Sequence, residues 1–274
     1  MRKDRFRKFR RITAWMRKLP DYVIIGAQRC GTTSLYNYLA QHPHVAPAFR
    51  KEVHFFDLNY DKGLSWYRGN FPTVLSARLF ERKHGRPLLT GEASPYYLFH
   101  PHAPKRIRQH LPGAKLIVLL RNPIERAYSH YNLARKLGVE DLSFEEGLKK
   151  ESERLEGEVS KMLRDEFYLS KSHRHHTYLQ KGIYADQLKI WLDLFPKEQI
   201  LILKSEDLFS DPSTTFRQVL DFLHLPAWEP PEYEKYNALE YQKIHPATRK
   251  WLAEYFQDHN QRLYTLLGRD FGWR

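Results

Sequence analysis

The most constraining feature of the sequence is a glycine-containing loop between an apolar run and a helical pattern. The loop reads GAQRCGTTS over residues 26–34 and follows the apolar run 22–25. The spacing of Gly26 and Gly31 is that of a phosphate-binding loop, in which glycines let the backbone approach an anion and the next N–H groups face it. Thr32 stands where a nucleoside triphosphatase has its lysine. The loop therefore predicts a 5′-phosphate site; a glycine turn without a ligand is the alternative.

Apolar runs alternate with helical patterns along the chain, and this order defines the fold class. Buried strands are predicted at 22–25, 88–90, 115–120 and 200–203. A helix is predicted from Asn122-Pro123 to about residue 137, because Asn favours the N-cap and Pro the first helical position. Strands separated by helices predict an α/β fold with a central, mainly parallel sheet flanked by helices. Residues 139–176 are rich in Glu and Lys and predict polar helices that wall or cover a site.

A second motif begins where the strand 115–120 ends. Arg121 lies at the carboxyl end of that strand, and Ser129 lies two helical turns further along. Ligands of open α/β sheets bind at this edge, and a guanidinium with a hydroxyl suits a second phosphate. The alternative is that Arg121 pairs with a structural carboxylate. Because Arg121 also stands where a nucleotide kinase would offer an aspartate to Mg²⁺, a kinase is excluded.

The N-terminus carries much of the positive charge of this 274-residue chain, whose formal net charge is +13. Residues 1–20 are expected to form an arm, and residues 21–274 a single domain. Apolar residues recur in the arm at steps of three and four: Phe6, Phe9, Ile12, Trp15 and Leu19. This spacing predicts a basic amphipathic helix that can lie on an anionic membrane surface. The alternative is an arm whose apolar residues dock on the domain.

Compartment and metal content follow from what the sequence lacks. Its one cysteine, Cys30, excludes an intrachain disulfide and a cysteine zinc cage, and suits a reducing compartment. No long apolar run or signal-peptide core is visible, so the expectation is a cytoplasmic protein with peripheral membrane contact. The histidine groups at 100–102 and 173–176 lack the spacing of a zinc motif. They are expected at the surface, and no metal is expected.

Both motifs resemble those of sulfotransferases that use 3′-phosphoadenosine-5′-phosphosulfate (PAPS), most closely the heparan sulfate N- and 3-O-sulfotransferases. Further segments that resemble the family are residues 51–57 (KEVHFFD), 60–68, 182–184, 206–208 and 270–273. The likeness spans residues 22 to 273. It implies a P-loop-like sulfotransferase fold and PAPS as the sulfuryl donor, with adenosine 3′,5′-bisphosphate as product. It also implies a carbohydrate or other hydroxylated acceptor, which can be anionic.

The resemblance also implies roles for individual residues. Glu52 matches the general base, His54 would orient Glu52 or touch the acceptor, and Arg29 would meet charge on the bridging oxygen. The donor's 5′-phosphosulfate would lie on the loop residues Arg29, Cys30, Gly31, Thr32, Thr33 and Ser34. Its 3′-phosphate would be held by Arg121 and Ser129, and Lys243 resembles part of a loop that closes over the donor.

Two departures from the family pattern leave questions open. Arg29 replaces a lysine, which keeps the charge but changes its shape and reach. Ala93 stands where the heparan-type enzymes have a lysine after a glutamate, here Glu92. Either another cation fills that gap or the acceptor differs, and Glu92 is the alternative base.

Two functions are alternatives to O-sulfation of a hydroxyl. One is N-sulfation of an amino sugar; the Glu52-x-His54 form favours the 3-O enzymes. Another is a non-catalytic binder of polyanions. A nucleic-acid partner is not expected, because the aromatic–basic motifs of common nucleic-acid modules are missing.

Overall fold

A five-stranded, all-parallel sheet forms the centre of the computed structural model, which describes residues 9–236 and 241–273. The strand order is β2-β3-β1-β4-β5. The strands are β1 Tyr22–Gly26, β2 Val45–Pro47, β3 Leu89–Ala93, β4 Lys115–Leu120 and β5 Ile200–Lys204. The parallel sheet predicted from the sequence is confirmed. Strand β2 was missed, since its three residues are too few for a periodicity signal.

Helices connect the strands, and most of them are short. Those before β4 are α1 Thr32–Gln41, α2 Phe55–Leu58, α3 Gly63–Arg68, α4 Val74–His84 and α5 Ala103–His110. Those between β4 and β5 are α6 Pro123–Lys136, α7 Phe144–Leu155, α8 Glu158–Arg164, α9 Lys171–His175 and α10 Tyr184–Leu194. Those after β5 are α11 Ser205–Ser210, α12 Pro212–Leu223 and α13 Pro246–Leu267.

The central strands are buried because helices cover both their faces. Every residue of β1 is buried, and β4 is buried except at Lys115, which is partly exposed. Helix α6 starts as predicted: Asn122 is the N-cap and its side chain accepts a hydrogen bond from the Ile124 N–H at 3.0 Å. This cap fixes the direction in which α6 leaves β4, and therefore places Ser129 at the edge where β1 and β4 end.

The polar segment 139–176 forms α7, α8 and α9. Helix α7 opens with a capping box, in which Ser143 and Glu146 satisfy each other's backbone N–H groups. Its apolar residues Phe144 and Leu148 pack in a second, smaller core. The expectation that the two histidine groups lie at the surface is wrong for His100 and His173, each 2% exposed. His173 stacks on Phe99 with 4.3 Å between the ring centroids.

The N-terminal arm contacts the domain through its arginines. Residues 1–8 lie outside the described residues, so the predicted helix is seen only from residue 9. Arg10 Nε donates to the Gly69 carbonyl at 2.6 Å, and Arg17 Nη1 donates to the Phe71 carbonyl at 2.9 Å. Trp15, in contrast, is 75% exposed. Phe9 and Ile12 are also exposed, whereas Leu19 packs against the core, so the described part of the arm docks through its arginines and Leu19. In the part of the chain that the structure describes, no helix is long and apolar enough to span a membrane.

Candidate active site

One open cavity of about 720 Å³ lies where β1 and β4 end. Its volume is in the range of small-molecule sites. Both sequence motifs reach it, together with the segment that carries Glu52 and His54. The loop residues that line it are Gln28, Arg29, Gly31, Thr32, Thr33 and Ser34. The structure therefore brings together most of the residues expected to form one site.

The turn from β1 into α1 is shaped to hold an anion. Gly31 has φ +87°, and a Cβ there would lie 2.9 Å from the Phe209 ring, so the position requires glycine. The Leu35 N–H bonds the Gly31 carbonyl at 3.1 Å, as in a helix. The N–H groups of the first three helical residues, 32–34, precede that bond and have no carbonyl one turn earlier in α1. At a helix N-terminus such groups attract a phosphate or sulfate oxygen.

Arg29 connects the two motifs directly. Its φ of +73° lies in the left-handed region, which is strained for a residue with a side chain. Its Nε donates to Ser129 Oγ at 3.0 Å, and Arg121 Nη1 donates to its carbonyl oxygen at 3.4 Å. Burial lowers the pKa of the Arg29 guanidinium, which stays charged near neutral pH. The position expected for the 5′-phosphosulfate and the position expected for the 3′-phosphate are therefore next to each other.

Arg121 has a carboxylate neighbour, as the structural alternative required. The distance from Arg121 Nη2 to Glu125 Oε2 is 3.9 Å, at the outer limit of an ion pair, and Glu125 also pairs with Arg249. Arg121 nevertheless lines the cavity, and its guanidinium lies 5.8 Å from the Phe209 ring centroid. A weak carboxylate contact leaves its charge available to an anion in the cavity.

Two residues expected at the donor do not line the cavity. Cys30 is fully buried beneath the loop; burial raises the pKa of its thiol to about 11, and its carbonyl accepts a hydrogen bond from Ser205 Oγ at 2.8 Å. Cys30 therefore shapes the loop from below. Lys243 is exposed and is not among the residues that line the cavity. Tyr241 and Tyr236, to which the sequence analysis gave no role, do line it.

Glu52, His54 and Asp57 form a hydrogen-bonded chain at the cavity. His54 Nε2 lies 3.1 Å from Glu52 Oε2, and His54 Nδ1 lies 2.8 Å from Asp57 Oδ2. Asp57 is buried, whereas the Glu52 side chain is 38% exposed. His54 has φ +51°, a second strained position in this site. Since both ring nitrogens face carboxylates, the imidazole is held as a doubly protonated cation.

The charges of this chain follow from its neighbours. Burial alone would raise the pKa of Glu52, but the hydrogen bond from His54 and the charge of Lys51 outweigh it and lower that pKa to about 2. Burial alone would lower the pKa of His54, but hydrogen bonds to Asp57 and Glu52 raise it to about 10. At neutral pH Glu52 is therefore an ionised carboxylate, able to accept a proton.

Glu92, the alternative base, is fully buried at the end of β3. Its oxygens accept hydrogen bonds from Tyr67 and Tyr97 hydroxyls at 3.2 and 2.8 Å, and from Ser94 Oγ and the Val53 N–H at 2.6 and 3.2 Å. Burial raises the pKa of Glu92 to about 7, although the hydrogen bonds that its oxygens accept have the opposite effect and lower it. The bond to Val53 fixes the backbone between Glu52 and His54, so Glu92 supports that segment from inside the core.

Lys51 is a charged residue of the site for which the sequence predicted no role. Its Nζ donates to Thr33 Oγ1 at 2.6 Å and lies 2.7 Å from Glu52 Oε1. One ammonium therefore joins the anion loop to the carboxylate. The signal in the sequence that could have indicated a role was the position of Lys51 directly before Glu52, in the segment 51–57 that resembles the family. Within the described ranges, no three His, Cys, Asp or Glu side chains cluster as metal ligands.

Comparisons with known proteins identify the family of the chain. Residues 19–274 match the sequence profile described as "Sulfotransferase domain". The chain is 30% identical to mouse (Mus musculus) heparan sulfate glucosamine 3-O-sulfotransferase 6, over 94% of this chain and 74% of that protein. It is 29% identical to the membrane-associated sulfotransferase kil1 of Dictyostelium discoideum, over 93% and 67% respectively. A crystal structure of a sulfotransferase from Alicyclobacillus acidocaldarius superposes with a TM-score of 0.69 and 31% identity, covering 93% of this chain and 98% of that one.

Proposed function

The chain belongs to the sulfotransferase domain family and is a sulfotransferase, and from its site we propose that it moves a sulfuryl group from PAPS to a hydroxyl of a carbohydrate. The observation that carries this proposal is the sharing of one cavity by an anion loop and an ionised glutamate. Such a pairing serves a reaction in which one group binds an anionic donor and another removes a proton from the acceptor.

The donor would be held at both of its phosphates. The N-terminus of α1 would bind the 5′-phosphosulfate, with Thr32 and Thr33 beside it. Arg121 and Ser129 would bind the 3′-phosphate, since both line the same cavity. Arg29, in contact with Ser129, would place its guanidinium near the bridging oxygen, where negative charge develops as the donor's S–O bond breaks.

Glu52 would act as the general base on the acceptor. The acceptor oxygen attacks the sulfur and its proton passes to a Glu52 oxygen, while the bond between sulfur and the phosphate oxygen breaks. Adenosine 3′,5′-bisphosphate leaves with the bonding electron pair. His54 fixes the orientation of Glu52, and the buried Asp57 fixes that of His54. N-sulfation of an amino sugar by the same residues is the alternative.

Cations on the cavity wall favour an anionic acceptor. Lys136 and Arg174 line the cavity. His175 also lines it, but burial and the charge of Arg174 lower its pKa to about 4, so it is neutral near pH 7. Positive side chains around an acceptor channel attract carboxylate or sulfate groups. Two mouse relatives are named as heparan sulfate glucosamine 3-O-sulfotransferases, and heparan sulfate is an anionic carbohydrate acceptor of this kind.

Donor binding tests the proposal without an acceptor. We expect adenosine 3′,5′-bisphosphate to raise the melting temperature, with about 2.7 kcal/mol of stabilisation at a ligand concentration of roughly 100 Kd. AMP, which lacks the 3′-phosphate, should stabilise much less, and ATP with Mg²⁺ should not stabilise. Differential scanning fluorimetry measures all three. Equal stabilisation by AMP and adenosine 3′,5′-bisphosphate would contradict the role of Arg121 and Ser129.

We further propose that the N-terminal segment contacts an anionic membrane surface, while a cytoplasmic location stays a prediction. Ile12 and Trp15 are 67% and 75% exposed. The antiparallel bridge between Arg17 and Thr73 places the start of α4 beside this segment. Helix α4 adds exposed residues at helical spacing: Leu75, Arg78, Leu79 and Arg82. Exposed apolar residues among cations are typical of surfaces that lie on anionic lipid. The name of the Dictyostelium relative, a membrane-associated sulfotransferase, fits this proposal.

Liposome binding tests the membrane contact. The double variant Ile12→Glu/Trp15→Glu should bind phosphatidylglycerol-containing vesicles at least about tenfold more weakly, because each apolar side chain contributes roughly 1.5–3 kcal/mol when buried. Ile190→Glu is the matched control, since Ile190 is also exposed but lies on α10. Cosedimentation measures the bound fraction. Unchanged binding of the double variant would show that this surface does not contact lipid.

A further inference from the structure

Lys51 occupies a position between the two halves of the proposed reaction. Its Nζ contacts Thr33 Oγ1, in the loop proposed to hold the donor, and Glu52 Oε1, on the proposed base, at 2.6 and 2.7 Å. An ammonium has three N–H donors, and these two contacts use two of them. The third N–H group stays available to an oxygen of PAPS that is bound beside Thr33.

The backbone of Lys51 explains how it reaches this place. The Ala93 N–H donates to the Lys51 carbonyl at 3.0 Å, so residue 51 lies directly beside the end of β3. The resemblance implied a lysine at position 93, where this chain has alanine. Lys51 brings a positive charge to the same neighbourhood from the adjacent segment. This placement favours a replacement cation over a different acceptor.

We propose that Lys51 is a catalytic cation that links donor binding to activation of the base. In the free enzyme its ammonium is shared between Thr33 and Glu52. When PAPS binds, the sulfuryl oxygens, which rest on the same loop, draw the ammonium towards the donor. The pull of Lys51 on Glu52 then weakens, so the carboxylate accepts the acceptor's proton more readily once the donor is in place. This inference rests on the proposed sulfuryl transfer from PAPS.

The charge state of the free enzyme supports such a link. With Lys51 and His54 both on Glu52, the pKa of this carboxyl is about 2, far below the pH at which a base is most effective. His54 is held by the buried Asp57 and cannot easily leave. Lys51 is a long, flexible side chain whose other contact is a hydroxyl, and so it is the partner that a bound anion can draw away.

The experiment follows the titration of Glu52 by NMR in protein labelled with ¹³C at the glutamate carboxyl, with Glu52→Gln assigning the signal. Without acceptor, PAPS should raise the Glu52 pKa by about one unit or more beyond the rise caused by adenosine 3′,5′-bisphosphate, which lacks the sulfuryl group. In Lys51→Met the Glu52 pKa should be higher from the start. The rise specific to PAPS should be much smaller there, since only direct repulsion between donor and carboxylate remains.

Turnover gives a second readout. Lys51→Met should lower kcat by about 10²–10³-fold, which is the usual effect of removing one hydrogen-bond donor that faces charge developing in the transition state. Lys51→Arg, which keeps the charge, should retain part of the rate. The matched control is Lys189→Met, since Lys189 also pairs with a carboxylate, Asp193 at 3.1 Å, but lies on the exposed face of α10.

Two results would overturn the role of Lys51: a Glu52 pKa that responds equally to PAPS and to adenosine 3′,5′-bisphosphate in the wild type, or a kcat of Lys51→Met equal to that of the control. If Lys51→Met does not fold, Lys51→Gln takes its place in both measurements. Failure of PAPS to bind the wild type would instead contradict the proposed function itself, so the two failures are distinguishable.

Discussion

Replacing Glu52 with glutamine should lower kcat by about 10²–10⁴-fold, the usual contribution of a positioned general base. Glutamine keeps the size of the side chain and can still bond His54, but it cannot take a proton from the acceptor hydroxyl. The pKa of an alcohol lies far above 7, so without a base the attacking oxygen stays protonated. The loss should be confined to kcat, because Glu52 is joined to the donor loop through Lys51 and would face the acceptor rather than the donor's phosphates.

Steady-state kinetics that follow formation of the sulfated product measure kcat, and a separate titration measures the affinity for adenosine 3′,5′-bisphosphate. That affinity should stay within about threefold of the wild type, since the interaction removed acts in the transition state. Glu92→Gln is the informative comparison. Glu92 is buried and bonded to Tyr67, Tyr97 and Ser94, so its change should affect stability more than kcat. High activity in Glu52→Gln with loss in Glu92→Gln would move the base to Glu92.

The fold could be predicted from the sequence where local signals were strong. Strand β4 has the predicted bounds, 115–120, because the five consecutive apolar residues after Lys115 are typical of a strand buried on both faces at the sheet centre. The start of α6 followed from Asn122 and Pro123, whose preferences are set by their own backbone chemistry. Strand β2 was invisible, because three residues at a sheet edge are defined by their partners in β3.

The site was predictable in its members but not in its connections. The sequence places Arg29 and Ser129 a hundred residues apart, and only the left-handed backbone at Arg29 together with the cap of α6 brings Nε to Oγ. The same holds for Lys51, whose side-chain direction depends on β3 beside it. In the arm, helical periodicity identified the apolar face but not which face docks. The arginines docked because the carbonyls of residues 69 and 71 accept their N–H groups.

The connection between Arg29 and Ser129 leads to the second large effect. Replacing Arg29 with alanine should weaken the affinity for adenosine 3′,5′-bisphosphate and also lower kcat by about 10²–10³-fold. The affinity falls because a cation is removed from the anion loop and Ser129 Oγ loses its partner at 3.0 Å. The rate falls because the bridging oxygen of the donor gains negative charge as the S–O bond breaks, and the Arg29 guanidinium no longer faces it.

Two variants separate these effects. Arg29→Lys keeps the charge but has no Nε to reach Ser129, so it should recover more of the rate than of the affinity. Arg217→Ala is the control, since Arg217 is 65% exposed and pairs with Glu229 at 3.7 Å away from the cavity. Isothermal titration measures the affinity, and single-turnover kinetics with saturating PAPS measures the chemical step. If Arg29→Ala loses affinity but keeps the single-turnover rate, Arg29 only positions Ser129, and the charge at the bridging oxygen must come from Lys51.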